Sequence, residues 1–396
     1  MKKALLIIFA FLLIMAAAAG CGNDDDPQAG ADQDAAGAQA GQDAAGAEAA
    51  RQLTFDNVRI SFIHVGDPAD RGYTYRQHAG TEAMMRELGI SEAQVQNQFN
   101  IMSGAPTDDA ILEAIEWGAD IIFATSFGHG EHMFEAAERN PHIQFFHATG
   151  NRSTLDDGSR ALPNFHNYFG NMSQARYLSG IAAGLRTETN VLGFVAAHDN
   201  GEVITGLTAF FLGARSVNPD VIMYVTYMGV WNNPELESQI AQSLIDRGAD
   251  VIAQHADSPA AQTTAQTNNV WGVGYNNDHI PFAPNAVLVS PMFAWEVYVT
   301  RAVRTIVEGG TMPPDQLYGL DDGMVKLSEL NPLTVVPNTA QAIADAEVAI
   351  RAGRNIFTGP LYDNDGNQIL APGEEWIEPR SAPSWRYIIE GIFVVE

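Results

Sequence analysis

The chain is short of cysteine, of positive charge and of long apolar runs. Its 396 residues include one cysteine, Cys21, so no disulfide can close within the chain. Lysine and arginine together number 21 against 48 acidic residues, a formal net charge of −27. Such an acidic surface argues against nucleic acid and against direct contact with an anionic bilayer. No Gly-x-x-x-x-Gly-Lys-Ser/Thr loop is present to cradle phosphates, and "GFVAAHDNG" (193–201) is no dinucleotide fingerprint. No Gly-x-Ser-x-Gly elbow occurs, and nothing assembles a nucleophile, a base and an oxyanion hole. Neither an enzyme nor a cofactor is therefore expected.

The longest apolar run, Ala4–Ala19, is too short to span a bilayer, which needs ~20 residues. With Lys2 and Lys3 before it and small residues after it, it reads as a secretory signal peptide over 1–20. "AAGC" (18–21) resembles a bacterial lipobox, which would make Cys21 a lipidated N-terminus. Residues 22–50 are Ala, Gly, Gln and Asp, with almost nothing to bury, and read as a disordered tether reaching to about residue 52. A flexible segment of that length reaches ~30 Å. The expected location is the extracytoplasmic face of the cell membrane, held by the lipid.

From Val58 the pattern alternates short β-branched runs with longer helical ones. "VRISFIHV", "VQNQFNIM", "DIIFATS" and "HIQFFHAT" read as strands, separated by helical stretches at 73–88, 107–118 and after His129. Thr107 reads as the N-cap of the second of these. A strand and a long small-residue helix follow within 164–186, and the alternation then restarts with "NVLGFVAA", "DVIMYVTYMG", "DVIAQHA" and "VWGVGYN". This predicts an α/β protein made of two doubly wound, Rossmann-like lobes with parallel sheets. "GADIIFATS" (118–126) and "GADVIAQHAD" (248–257) fall at equivalent places, one per lobe. Lobe one is expected over 53–169 plus about 288–313, and lobe two over 170–287 plus about 314–335. A C-terminal helix and an extension of undecided lobe occupy 336–396.

In open α/β sheets ligands bind beyond the carboxyl ends of the strands. Those positions carry Asp70, Tyr73 and Tyr75 after the first strand and Phe127 after the third. The second lobe places Trp231, Asp257, then Asn276 and Asp278 in the same way, and Trp295 lies in a later crossing segment. Aromatic faces stack on flat rings, and carboxyl and amide groups read polar edges. Residues i and i+2 face apart on a helix, so only one of Tyr73 and Tyr75 is expected at the ligand. His129 and His132, with His142, His147 and His166, suggest a metal, but no third ligand of matched geometry is evident. "DNDG" (363–366) reads as a turn, lacking the spaced carboxylates of a calcium loop.

The stretches "HVGDPADRGYTYRQHAG", "GADIIFATSFGH", "ARYLSGIAAG", "GVWNNPELE", "GADVIAQHADSPA" and "VGYNND" resemble the basic membrane protein family of ABC-transporter solute-binding lipoproteins, which includes purine nucleoside receptors. The resemblance runs from Val58 to about Glu308. It implies a type I periplasmic-binding-protein fold with three hinge crossings. It also implies that a purine base or nucleoside is held between the lobes and passed to an ABC permease. By position, Tyr73 or Tyr75 and Phe127 match contacts of lobe one, Trp231 the opposing stacking residue, and Asp257 with Asn276–Asp278 the polar readers. The nucleoside-binding branch commonly has a lysine where this chain reads "SPMFAWE", which shifts the expectation toward a free base, adenine or hypoxanthine. A monomer is expected. A surface-anchored enzyme acting on nucleosides or sugars and a ligand sensor for a membrane receptor are the alternatives.

Overall fold

The structure, a computed structural model, describes residues 51–396. The signal peptide and tether expected from the sequence, with Cys21, fall on residues 1–50, outside the described residues. No helix among the described residues is long and apolar enough to cross a membrane.

The first lobe builds a parallel sheet from β1 (Ile60–Ile63), β2 (Val95–Gln98), β3 (Ile121–Ala124), β4 (Gln144–Ala148) and β5 (Phe165–Gly170). Helices α1 (Tyr73–Leu88), α2 (Ala105–Trp117) and α3 (Gly130–Arg139) connect them. Helix α4 (Met172–Arg186) leads into the second lobe. There β6 (Val191–Ala196), β7 (Ile222–Tyr227), β8 (Val251–His255), β9 (Trp271–Val273) and β10 (Val287–Val289) alternate with α5 (Gly201–Val217), α6 (Pro234–Asp246) and α7 (Ala260–Thr267). The strand orders β2-β1-β3-β4-β5 and β7-β6-β8-β9-β10 are the same topology written twice. β1 and β3 are buried throughout, as strands covered by helices on both faces must be.

The repeated "GAD" now has a physical reading. Gly118 and Gly248 end α2 and follow α6 at φ 88° and 98°, a conformation that favours glycine. Ala119 and Ala249 are buried beneath. Each Asp then binds the backbone at the start of the neighbouring strand. Asp120 accepts from Arg59 N at 2.8 Å beside β1. Asp250 accepts from Glu188 N at 2.6 Å and Thr189 N at 3.0 Å just before β6. Both motifs introduce the third strand of their lobe.

Three strands of chain cross between the lobes. The first runs from β5 into α4. The second leaves β10, forms β11 (Pro291–Phe293) and enters α8 (Trp295–Val307), which packs on α1. The third follows β12 (Asp315–Tyr318) and passes through β13 (Val325–Leu327), which pairs antiparallel with β11. The Asn171 N–H donates to Tyr318 O at 2.7 Å, tying the first crossing to the third. β12 pairs parallel with β5 at the edge of the first sheet. The chain therefore leaves that sheet after Tyr318, a few residues beyond the boundary near 313 read from the sequence.

One local expectation changes. Helix α2 starts at Ala105 with Pro106 in its first turn, because proline's fixed φ suits that position. Thr107 is thus inside the helix, its hydroxyl donating to Met102 O at 2.9 Å. Past β9 the chain breaks at Ser290 into β10 and β11, which serve different sheets.

The small residues of α4 let it lie backbone to backbone on α5. A methyl at Gly180 would overlap the Phe210 carbonyl, and one at Gly213 would overlap that of Tyr177. After α9 (Thr339–Arg351) comes a hairpin of β14 (Leu361–Tyr362) and β15 (Gln368–Leu370). The chain ends in β16 (Ile392–Val394), parallel to β7 at the edge of the second sheet. Between these, residues 376–385 reach back across to the first lobe. Arg380 Nη1 donates to Asn151 O at 3.0 Å, and Ser381 donates to Asp315 through its N (2.9 Å) and Oγ (2.5 Å). The same segment is held to the second lobe, since Glu378 Oε1 accepts from Thr205 Oγ1 on α5 at 3.4 Å.

Candidate functional site

Each sheet reverses its strand order between its first and third strands, where neighbouring loops part and leave a crevice. The two crevices face each other. Between them lies a narrow chamber with roughly 380 Å³ of space not occupied by atoms, part of it open to solvent, which leads into a wider mouth.

The first lobe contributes the loop after β1. Asp67 caps a short turn by accepting from Ala69 N at 2.8 Å. Asp70 accepts from Gly72 N (2.9 Å), Thr74 N (2.8 Å) and Tyr75 N (3.0 Å), satisfying the free amides at the start of α1. Its carboxyl lines the mouth. Tyr73, the first residue of α1, lines the inner chamber. Its hydroxyl donates to Thr125 O at 2.6 Å, which fixes the ring. Phe127, after β3, is 63% exposed on the rim. Thr149, after β4, leaves a buried hydroxyl without a partner in the chamber wall.

The second lobe answers with Trp231, whose carbonyl accepts from Asp257 N at 3.0 Å. Its ring meets His198 edge-on at 4.7 Å between centroids. Asp257 is buried, and its Oδ1 accepts from Asn276 Nδ2 at 3.1 Å, which leaves Asn276 Oδ1 buried and unpartnered. Burial, with Asp70, Glu237 and Glu202 nearby, pushes the Asp257 carboxyl well above the usual range. Burial also holds His255 well below its ordinary value, so its ring is neutral. Tyr275 completes the floor, with the buried Arg176 guanidinium 3.7 Å from its ring centroid. The chamber thus offers flat rings and polar edges that carry little charge, a lining for an uncharged planar molecule.

Six of the residues singled out from the sequence meet here: Asp70, Tyr73, Phe127, Trp231, Asp257 and Asn276. Three do not. Tyr75 points outward, where Arg71 lies 5.9 Å from its ring, because it is two residues beyond Tyr73 on a helix. Asp278 Oδ1 accepts from Ile280 N at 3.0 Å and shapes a turn. Trp295 is fully buried behind Tyr73, edge-on at 5.7 Å, and stacks on Phe293 at 4.4 Å. It braces the site from behind the wall. The histidines considered for a metal are separately engaged: His129 Nε2 lies 2.8 Å from Ile101 O, and His147 Nε2 lies 2.7 Å from Ser126 O.

Sequence reasoning missed Glu202, His255 and Thr149. The rule that found the other residues also finds Glu202, which follows β6 in "AAHDNGE" (196–202).

The lobes touch across the mouth. Asn277 Nδ2 donates to Arg71 O at 3.1 Å, and Gly72 sits so close to the Asp257 carbonyl that a methyl there would overlap it.

Two like-built lobes, three crossings and a slot at both switch points make a clamp of the solute-binding class. A bacterial counterpart with this fold is the ABC transporter solute-binding protein of Conexibacter woesei, with a TM-score of 0.62 over 75% of this chain and 97% of that one, at 18% identity. The chain belongs to the PnrA-like ABC transporter substrate-binding proteins, whose family model matches residues 57–352. It is 31% identical over 324 residues to a purine-binding protein of Brucella abortus, spanning 81% of this chain and 89% of that one. It is 30% identical over 317 residues to a putative ABC transporter glucose-binding protein of Haloferax volcanii, covering 80% and 78%.

Proposed function

We propose that this protein captures a purine base or nucleoside between its lobes and delivers it to an ABC permease, with a free base such as adenine or hypoxanthine preferred. We place it on the extracytoplasmic face of the cell membrane, anchored through a lipid on Cys21. The observation that carries the ligand is the convergence of Tyr73, Trp231 and Tyr275 on one narrow chamber edged by the Asp257–Asn276 pair. Aromatic faces stack on a planar heterocycle, worth about 0.5–1.5 kcal/mol per ring beyond buried area. A mismatched base would leave Asn276 or Asp257 without a partner, which is how such a site discriminates. The purine-binding relative in Brucella supports the same reading.

Calorimetry with adenine, hypoxanthine, inosine and glucose tests it. Tight binding of a purine with no glucose response is expected. Glucose binding without purine binding would overturn the ligand. Conversion of a nucleoside to products, followed by chromatography, would favour an enzyme instead.

A further inference from the structure

We propose that Glu202 reads the ligand as a carboxylic acid, its O–H donating to and its carbonyl accepting from one edge of an uncharged 6-substituted purine. This rests on the purine reading above and narrows it to neutral bases.

Placement comes first. Glu202 is the second residue of α5, whose first turn is capped by Asn200 Oδ1 accepting from Val203 N at 3.0 Å. Its side chain lines the chamber with Tyr73 and Trp231, and it also borders a smaller, narrow gap reaching to Glu378. Most of the side chain is buried. Its nearest ionisable partner is His255 Nε2, 3.4 Å from Oε1.

Burial, set against the surrounding charge, decides the protonation. Arg176 on α4 favours the carboxylate, and so does His198 beside α5. Asp257 shares the chamber, its own carboxyl raised in part by Glu202, and Glu378 lies beyond the smaller gap. Tyr73 on α1 and Tyr275 after β9 face the group as uncharged phenols. His255 on β8 is neutral. Burial outweighs the guanidinium, and the Glu202 carboxyl is pushed up to about 7.

A protonated carboxyl places a donor beside an acceptor. Adenine presents an N–H next to a ring nitrogen, and hypoxanthine presents N1–H next to O6, so either edge is matched by two hydrogen bonds. The carboxylate offers acceptors only. It loses one of the two bonds and sets a charge against the ligand's own lone pair. An oxidised purine such as urate, an anion at neutral pH, would give up its hydration in a chamber whose lining carries little charge, and is refused.

Calorimetry near pH 6 and near pH 8 separates the possibilities. The wild-type affinity for adenine and hypoxanthine should fall roughly tenfold between them, as expected when the competent form of a group titrating near 7 is depleted. Glu202→Gln keeps a donor beside an acceptor at every pH, so its affinity should stay flat and its pH 8 value should exceed wild type. Binding by wild type at pH 7.5 should also take up a fraction of a proton, read by repeating it in buffers of unlike ionisation enthalpy. This second measurement needs no variant. Urate should give no heat. Purine binding that does not vary with pH and takes up no proton overturns the role of Glu202 alone. Absence of purine binding at both pH values overturns the purine reading itself.

Discussion

At the scale of single residues, the cleft is governed by which side chains have bonds left to offer. Asp70 has given its oxygens to three backbone amides, whereas Asn276 Oδ1 and Thr149 Oγ1 remain unpartnered in the chamber wall. The rings supply area and the free polar atoms supply choice. Trp231→Ala should therefore weaken purine binding tenfold or more in calorimetry while the melting temperature changes little. Gly72 is a different case. A side chain there collides with the Asp257 carbonyl only when the lobes meet. Gly72→Ala should lower affinity at least tenfold with the ligand-free melting temperature unchanged; equal affinity would show that the mouth need not close this far. A third test concerns Glu237, whose carboxyl accepts from Ser258 Oγ at 2.6 Å inside the second lobe. Burial raises it from 4.5 to about 7. The unfolded chain releases that proton near 4.5 and the folded chain only near 7, so the group's contribution to stability is full below 4.5 and is lost as pH rises through 7. Glu237→Gln should raise the melting temperature relative to wild type at pH 8 and not at pH 4.5. An identical offset at both would contradict the assignment.

At the scale of elements, the alternation of strand and helix was legible because covered parallel strands are short apolar runs and their helices are periodic. The doubled "GAD" was legible as a repeat, and its cause is chemical: a left-handed glycine, a buried alanine and an acid that binds the next strand's backbone. Tyr73 could be separated from Tyr75 by helix geometry. Trp295 and Asp278 could not be placed, since an aromatic behind a wall and one in front of it share the same composition. Nor could β12 be seen in "PDQLY", because only its pairing with β5 marks it as a strand. The segment 376–385 was equally opaque. Its role depends on polar contacts between residues far apart in the chain, which leave no periodic trace. The family match ends at residue 352, short of it. Because it grips both lobes, Arg380→Ala combined with Ser381→Ala should cost two to three hydrogen bonds of about 0.5–1.5 kcal/mol each. A melting temperature lowered by several degrees in calorimetry is the expected result, and no change would mean that the segment rides on one lobe only.

At the scale of the molecule, ligand binding is a choice between lobe arrangements. Contacts made only when the lobes meet, such as Asn277 to Arg71, are the differential terms that let a ligand shift the population. X-ray scattering should therefore show a smaller radius of gyration with adenine or hypoxanthine than without, and superimposable curves would refute closure as the response. Buried histidines set the acid limit. His64, His129, His147, His166 and His279 are each lowered to about 4 by burial. Their contribution to stability is full above 6.5 and is lost as pH falls through 4, which opposes the slope from Glu202 and Glu237 over the same interval.

Each sheet is finished by a late arrival. β5 meets its outer neighbour β12 only after β6 to β10 of the second lobe have been made, and β7 meets β16 from the last few residues of the chain. During synthesis the N-terminal half emerges first with a bare strand flank, a template for wrong partners until its own is delivered. Neither lobe can mature alone, so a truncated or stalled nascent chain is a candidate for degradation rather than a half-working clamp.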